Sequence, residues 1–237
     1  MTKNQQILAK MGGSSLALLL SLSLGQQASA ATLVENLPPT TSSSSGGEVK
    51  FDQWVRSSFT TGSGSYGYTL NSVTLRFAQS LPVTPTDNLF VRLYSDNAGA
   101  LGTPITSFTN PSPITTTTAN NIFTLTTPQT LGANTAYWLV AGVSSGSEQY
   151  IWALTDSGDQ IGELGWSIGD SALFSGNQGG TWNPFTGFNA FQFSVDGTVN
   201  TSPPPPTNIP EPGSVVALLG LGGLGLASRL KKLSTRA

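Results

Sequence analysis

The side chains able to do chemistry are few, and two types are missing altogether. The 237 residues include no His and no Cys. A serine or cysteine nucleophile therefore has no imidazole to activate it. Zinc sites built from Cys and His, iron–sulfur clusters and His- or Cys-ligated haem are excluded. No disulfide can staple the fold, and no lipid can be attached through a Cys. Oxygen chemistry and aromatic stacking are left. Eleven acidic residues lie between Ala31 and Asn208, most densely at Asp156, Asp159, Glu163 and Asp170. Two carboxylates ~5–9.5 Å apart in a cleft are what glycoside hydrolysis needs. In a Gly-rich stretch the same residues read as solvated turn carboxylates, since Asp is a common turn residue, and that reading weighs more. Calcium is the one metal these oxygens, or Asp96 with Asn97, would suit. No complete EF-hand or repeat-type calcium loop is present, so no cofactor is expected. Trp54, Trp152, Trp166 and Trp182 offer flat faces that suit the apolar face of a pyranose. Trp166 and Trp182, flanked by Gly and polar residues, are the candidates for exposure and sugar stacking. The reading that weighs more is that they plug the ends of the fold, where large aromatics contribute most burial.

The elements that must carry these side chains are strands. Charged residues are only 9% of the chain, against about 25% in an average domain, and Gly (27), Pro (15), Ser and Thr fill the gap. Period-2 alternation recurs. Val73, Leu75 and Phe77 face one way, with Thr74 and Arg76 opposite. Leu89, Val91 and Leu93 repeat the pattern around Arg92. Phe191, Phe193 and Val195 alternate with Gln192, Ser194 and Asp196. Ala136–Val143 is apolar on both faces, which predicts a central strand covered on each side, with Trp138 in the core. Asp96-Asn97-Ala98-Gly99, Asn110-Pro111, Ser144-Ser145-Gly146, Ser157-Gly158-Asp159 and Gly179-Gly180 mark turns. The Thr-dense run from Leu101 to Thr130 suits exposed strands. Residues 31–200 are therefore expected to form one all-β domain, a β-sandwich of jelly-roll type. Arg76 and Arg92 at outward positions argue against an outer-membrane barrel, where lipid demands an apolar band.

The two ends read as addresses. Residues 1–30 have the order of a secretory signal peptide: Lys3 and Lys10, an apolar run from Leu16 to Leu24, and a small-residue cleavage site at Ala28-Ser29-Ala30. Secretion machinery and signal peptidase are the partners this implies, and Ala31 becomes the mature N-terminus. At the other end, residues 201–208 form a Pro-rich linker. In polyproline II, at about 3.1 Å per residue, it holds a folded domain some 20–30 Å from the membrane. Residues 209–237 contain Ile209-Pro210-Glu211-Pro212, an uncharged stretch from Gly213 to Ser228, and a basic tail of Arg229, Lys231, Lys232 and Arg236. An apolar run closed by basic residues is a stop-transfer signal with its basic end in the cytoplasm. Sixteen residues reach about 24 Å as a helix, short of the ~30 Å hydrocarbon core, which suits a temporary anchor. Between Ala31 and Asn208, four basic and eleven acidic residues leave a charge of −7. Positive ends stay inside while the acidic middle crosses, and that middle is a poor surface for nucleic acid.

Residues 209–236 resemble the PEP-CTERM sorting signal of Gram-negative bacteria and cyanobacteria, because the Pro-Glu-Pro motif, a short Gly/Leu-rich helix and a basic cluster stand in order. The resemblance implies recognition by an exosortase, a membrane-embedded cysteine protease-like enzyme. Pro210 and Pro212 hold the backbone extended, the shape a protease cleft accepts. An ordinary membrane anchor that is never cut is the alternative. Five further blocks, Ser58–Gly62, Tyr68–Leu75, Val91–Gly99, Leu131–Val140 and Gly179–Trp182, resemble the choice-of-anchor type R domain, an exported family that occurs with alternative C-terminal anchors. That family brings no established catalytic residue, so none is assigned. The expectation is a non-enzymatic protein that passes through the inner membrane to the cell surface or extracellular matrix and associates with exopolysaccharide. The alternatives are a carbohydrate-binding module using Trp166 or Trp182, and a carboxylate-dependent glycan-active enzyme.

Overall fold

The computed structural model describes residues 30–43, 45–81, 88–115 and 117–202. The expected signal helix, the prolines of the linker and the expected C-terminal transmembrane helix lie outside the described residues. Among the described residues there is no helix, and so none long and apolar enough to cross a membrane.

The strands, in chain order, are β1 (Ala31–Glu35), β2 (Ser45–Val49), β3 (Trp54–Thr60), β4 (Tyr68–Leu81), β5 (Leu89–Asn97), β6 (Ala100–Ser107), β7 (Ala119–Leu131) and β8 (Ala136–Val143). They continue with β9 (Gln149–Thr155), β10 (Ile161–Gly162), β11 (Ser167–Ile168), β12 (Leu173–Ser175), β13 (Asn183–Pro184), β14 (Ala190–Phe191) and β15 (Phe193–Val199). Eight of these form the frame. In one sheet β1, β15, β4 and β7 lie side by side. In the other β3, β8, β5 and β6 do so. Every pairing is antiparallel. Between β8 and β15 the chain inserts β9 to β14, which extend both sheets: β9 carries β2, and β12 lies beside β3.

The inner faces of the two sheets share one core, as a sandwich requires. Val73, Leu75 and Phe77 on β4 are fully buried, as their alternation predicts, together with Phe59, Phe123, Trp152 and Phe193. Phe59 stands on the second sheet and its ring lies 6.5 Å from that of Phe193 on the first. β8 sits between β3 and β5, and Tyr137 to Val143 are all buried, so the doubly apolar strand is central. The Thr-rich β6 and β7 are largely exposed edge strands.

Turn chemistry sets the hairpins. Asn97 faces Ala100, leaving Ala98 (φ 51°) and Gly99 (φ 83°) as a two-residue loop with both angles positive. That is the geometry matching the right-handed twist of the flanking strands. The Asp96 carboxylate accepts the Gly99 N–H at 3.1 Å and holds the turn. Ala31 lies opposite Gly197 on adjacent strands, so the domain is entered and left at the same end.

Two alternations turn out differently from expectation. Gln192, read as an outward polar position, is fully buried. It is the single residue between β14 and β15 where the chain leaves β9 and joins β4. Its N–H donates to Ala153 O at 2.8 Å, and its carbonyl accepts from Arg76 N and Trp152 Nε1. A residue at such a fork is covered by both branches. Trp138 is buried, yet on the outer side of its sheet, in a second apolar cluster apart from the main core.

Candidate functional site

The second cluster is the most unusual surface of the domain. Period 2 sends alternate residues of three neighbouring strands away from the sandwich core. On β3 these are Trp54, Arg56 and Ser58; on β8, Trp138, Val140 and Gly142; on β5, Phe90, Arg92 and Tyr94. Register lines them into rows. Ser58, Trp138 and Tyr94 share one row, and Arg56, Val140 and Arg92 the next. In a third, Gly142 stands beside Phe90, and the rings of Trp54 and Phe90 meet edge to face at 4.8 Å. Only a glycine leaves room for that meeting. A Cβ on Gly142 would lie 2.5 Å from both Phe90 Cζ and Trp54 Cδ1.

Arg56 is the centre of this face. Its guanidinium carbon lies 3.9 Å from the centroid of Trp138 and 4.6 Å from that of Trp182, so the cation is held between two indoles. Cation–π contacts of this kind strengthen when desolvated. Arg56 is only 5% exposed. Burial lowers its pKa to about 10, with the nearby Asp96 carboxylate opposing that shift, so it stays charged at neutral pH. Among the described residues it makes no ion pair, and its Nε and Nη1 find no acceptor. Trp138 is oriented by Asp96, whose carboxylate accepts the indole N–H at 2.8 Å. Arg92, half-buried, lies over the Phe90 ring at 4.2 Å.

Trp182 reaches this face from a loop that follows β12. Asn177 organises the loop: its Oδ1 accepts the Thr181 N–H and the Ser175 hydroxyl, and its Nδ2 donates to Thr181 Oγ1, all at 2.8 Å. Gly179 adopts φ 92° and lies against the Trp54 ring. Trp182 is half-buried, with part of its indole open to solvent.

Trp166 is a correction. It is 7% exposed and belongs to the core, stacked on Phe59 at 5.8 Å and 11° and edge-on to Tyr68 at 4.8 Å. The glycines beside it signal close backbone packing rather than exposure: Gly62 leaves no space for a Cβ against Leu164 O and Tyr68 Oη. Of the two tryptophans read as sugar platforms, the structure leaves Trp182 at the surface.

The acidic loop is exposed at Asp156, Asp159, Glu163 and Asp170. Asp159 is tied into its own turn by the Ser157 hydroxyl at 2.8 Å. Asp159 and Asp170 line a shared cavity of about 10 Å³, room for one water at most. Asp52 and Glu148, which the sequence did not single out, border a depression of about 270 Å³ beside Lys50. Glu148 accepts from Tyr150 Oη at 3.0 Å, and Lys50 pairs with Glu48 at 2.9 Å and lies 3.9 Å from Asp52. A third groove, of about 600 Å³, is lined by Pro38, Thr40, Ser43, Arg76 and Asp159. Among the described residues no three acidic side chains come together as a metal site, and the Asp96 oxygens are taken by Gly99 and Trp138.

The sorting residues Pro210, Glu211 and Pro212, the basic tail Arg229, Lys231, Lys232 and Arg236, and Ala28 lie outside the described residues; Ala30 is exposed just before β1. Comparison with known families supplies what geometry does not. Residues 208–232 match the PEP-CTERM protein-sorting motif. The motif implies export to the cell envelope or surface and exosortase as the processing partner. No curated protein and no solved structure matches the chain.

Proposed function

We propose that this chain is a non-enzymatic cell-surface or extracellular-matrix protein, cut by signal peptidase after Ala30 and by an exosortase at its C-terminal signal, and retained among exopolysaccharide. The observation that carries the sorting step is the PEP-CTERM match at residues 208–232. The shared exit end of Ala31 and Val199 supports it, because two cleavages at one end leave the rest of the domain untouched. The strand order supports a jelly roll. Numbered along the chain, the frame strands run 1-8-3-6 in one sheet and 2-7-4-5 in the other, the order two interleaved Greek keys produce.

The choice-of-anchor type R reading draws support from contacts between its blocks. The Thr61 hydroxyl donates to Gly132 O at 2.7 Å and accepts the Thr135 N–H. Asp96 holds Trp138, and Trp182 stacks near it across Arg56. Residues from separate blocks of the chain thus act as one packing unit.

Intact-mass analysis of the protein from the culture medium and from envelopes tests the sorting claim. The expected species begins at Ala31 and lacks the basic tail, and Glu211→Ala with Pro210→Ala leaves the tail attached. Full-length protein held in the inner membrane of cells that possess the exosortase overturns it.

A carbohydrate-binding module is the second reading, favoured by the half-open Trp182 beside a buried guanidinium. Carboxylate chemistry has less support: Asp159 and Asp170 share a water-sized cavity, the 600 Å³ groove has, among the described residues, Asp159 as the one carboxylate in its lining where glycoside hydrolysis needs two, and Glu148 is held by Tyr150.

A further inference from the structure

The outer face of β3, β8 and β5 holds an imbalance of a definite kind. Trp54 Nε1, Arg56 Nε and Arg56 Nη1 are buried without a hydrogen-bond partner. All three are donors. Buried donors left unpaired are costly, so the group that completes this face must be an acceptor. Its charge is indicated independently. Between Ala31 and Asn208 only Lys50, Arg56, Arg76 and Arg92 are basic. Two of these four flank Val140 in a single row. At about 4.8 Å per strand spacing, the row sets their backbones about 10 Å apart, a distance a disaccharide covers. Indole faces stand beside the charges, with Trp182 over Arg56 and Trp54 over Gly142. A pattern of ring, cation and ring matches a polymer whose units each carry an apolar ring face and a carboxylate.

We infer that this face binds an acidic polysaccharide, with a uronate carboxylate taken by Arg92, the buried charge of Arg56 attracting the next, and a sugar ring stacked on Trp182. The inference deepens the carbohydrate-binding reading and rests on it. Arg92 is the outer of the two cations and makes first contact. Arg56 lies beneath the Trp182 ring and sets a buried positive charge under the sugar that stacks on that ring. A guanidinium presents its donors as a planar fork that matches a carboxylate.

The secreted protein is run through gels containing polygalacturonate, dextran or poly-glutamate. Polygalacturonate retards the wild type and the two controls do not, and the retardation weakens as salt is raised. Arg92→Gln and Trp182→Ala each lose about tenfold or more in affinity, with far-UV circular dichroism unchanged. Should Trp182→Ala fail to fold, Arg92→Gln decides alone. Equal retardation by dextran shows stacking without charge recognition. Equal retardation by poly-glutamate shows charge without ring recognition. Unchanged binding by the variants places the site elsewhere. Each of these overturns the inference, and so does absence of binding to all three polymers, while the sorting claim stands or falls on the mass measurement alone.

Discussion

Replacing Gly142 by alanine tests whether the outer face is a packed unit or a loose array of rings. Trp54 and Phe90 meet at 4.8 Å directly above Gly142. The new methyl would sit 2.5 Å from an atom of each ring, about 1 Å inside ordinary carbon–carbon contact. Neither ring retreats freely: Gly179 lies against Trp54, and Phe90 is 9% exposed. Overpacking of this type costs about 1–3 kcal/mol. In a domain of this size each kcal/mol moves Tm by about 2–4 °C, so a fall of about 2–12 °C is expected. The assay is thermal unfolding of the secreted protein followed by tryptophan fluorescence. Gly176→Ala is the control, since no atom lies within 4 Å of its added Cβ, and its Tm should match the wild type. An unchanged Tm in Gly142→Ala would refute the packed face, and with it the geometry that places Trp54 beside the cation row.

Two other perturbations separate the contributions of single groups. Asp96→Ala removes the acceptor of Trp138 Nε1 and of the Gly99 N–H. Leaving a part-buried indole donor unpaired costs about 1–3 kcal/mol, so the urea midpoint should fall at unchanged m-value, and an unaltered midpoint counts against the assigned role. Glu35 has a pKa raised above 4.5, chiefly by burial and further by the Asp196 carboxylate. Its ionised form is therefore disfavoured by folding. Its contribution to stability falls as pH rises from 4.5 through the raised value. Glu35→Gln should raise Tm at pH 7, with the gain vanishing below pH 4.5; a gain that persists in acid contradicts the electrostatic cause.

Much of the frame was legible because strand alternation is a local property. Val73, Leu75 and Phe77 announce an inner face by their spacing, and that face is the core. Ala136–Val143 announces a strand with no exposed side, and β8 is central. Asp96–Gly99 announces a tight turn, and Asp96 closes it. The site was less legible, for a different reason. Trp54 and Arg56, Phe90 and Tyr94, Trp138 and Val140 form a second period-2 set of opposite parity on their strands. The doubly apolar strand announces that Trp138 and Val140 are covered, but the spacing of Trp54 with Arg56 and of Phe90 with Tyr94 does not say what they meet. They become a cluster only when β3, β8 and β5 are placed side by side.

The chain by itself determined the exclusions and the address. The lack of His and Cys removes whole classes of chemistry wherever the residues end up, and the sorting motif is read in sequence order at residues 208–232. Neither depends on folding. Tertiary structure alone decided which aromatics are surface and which are core. Trp166 and Trp182 have similar Gly-rich neighbours, yet one stacks on Phe59 inside the sandwich and the other covers Arg56 outside it. Burial depends on what other strands bring to a position, and no local pattern of residues carries that information.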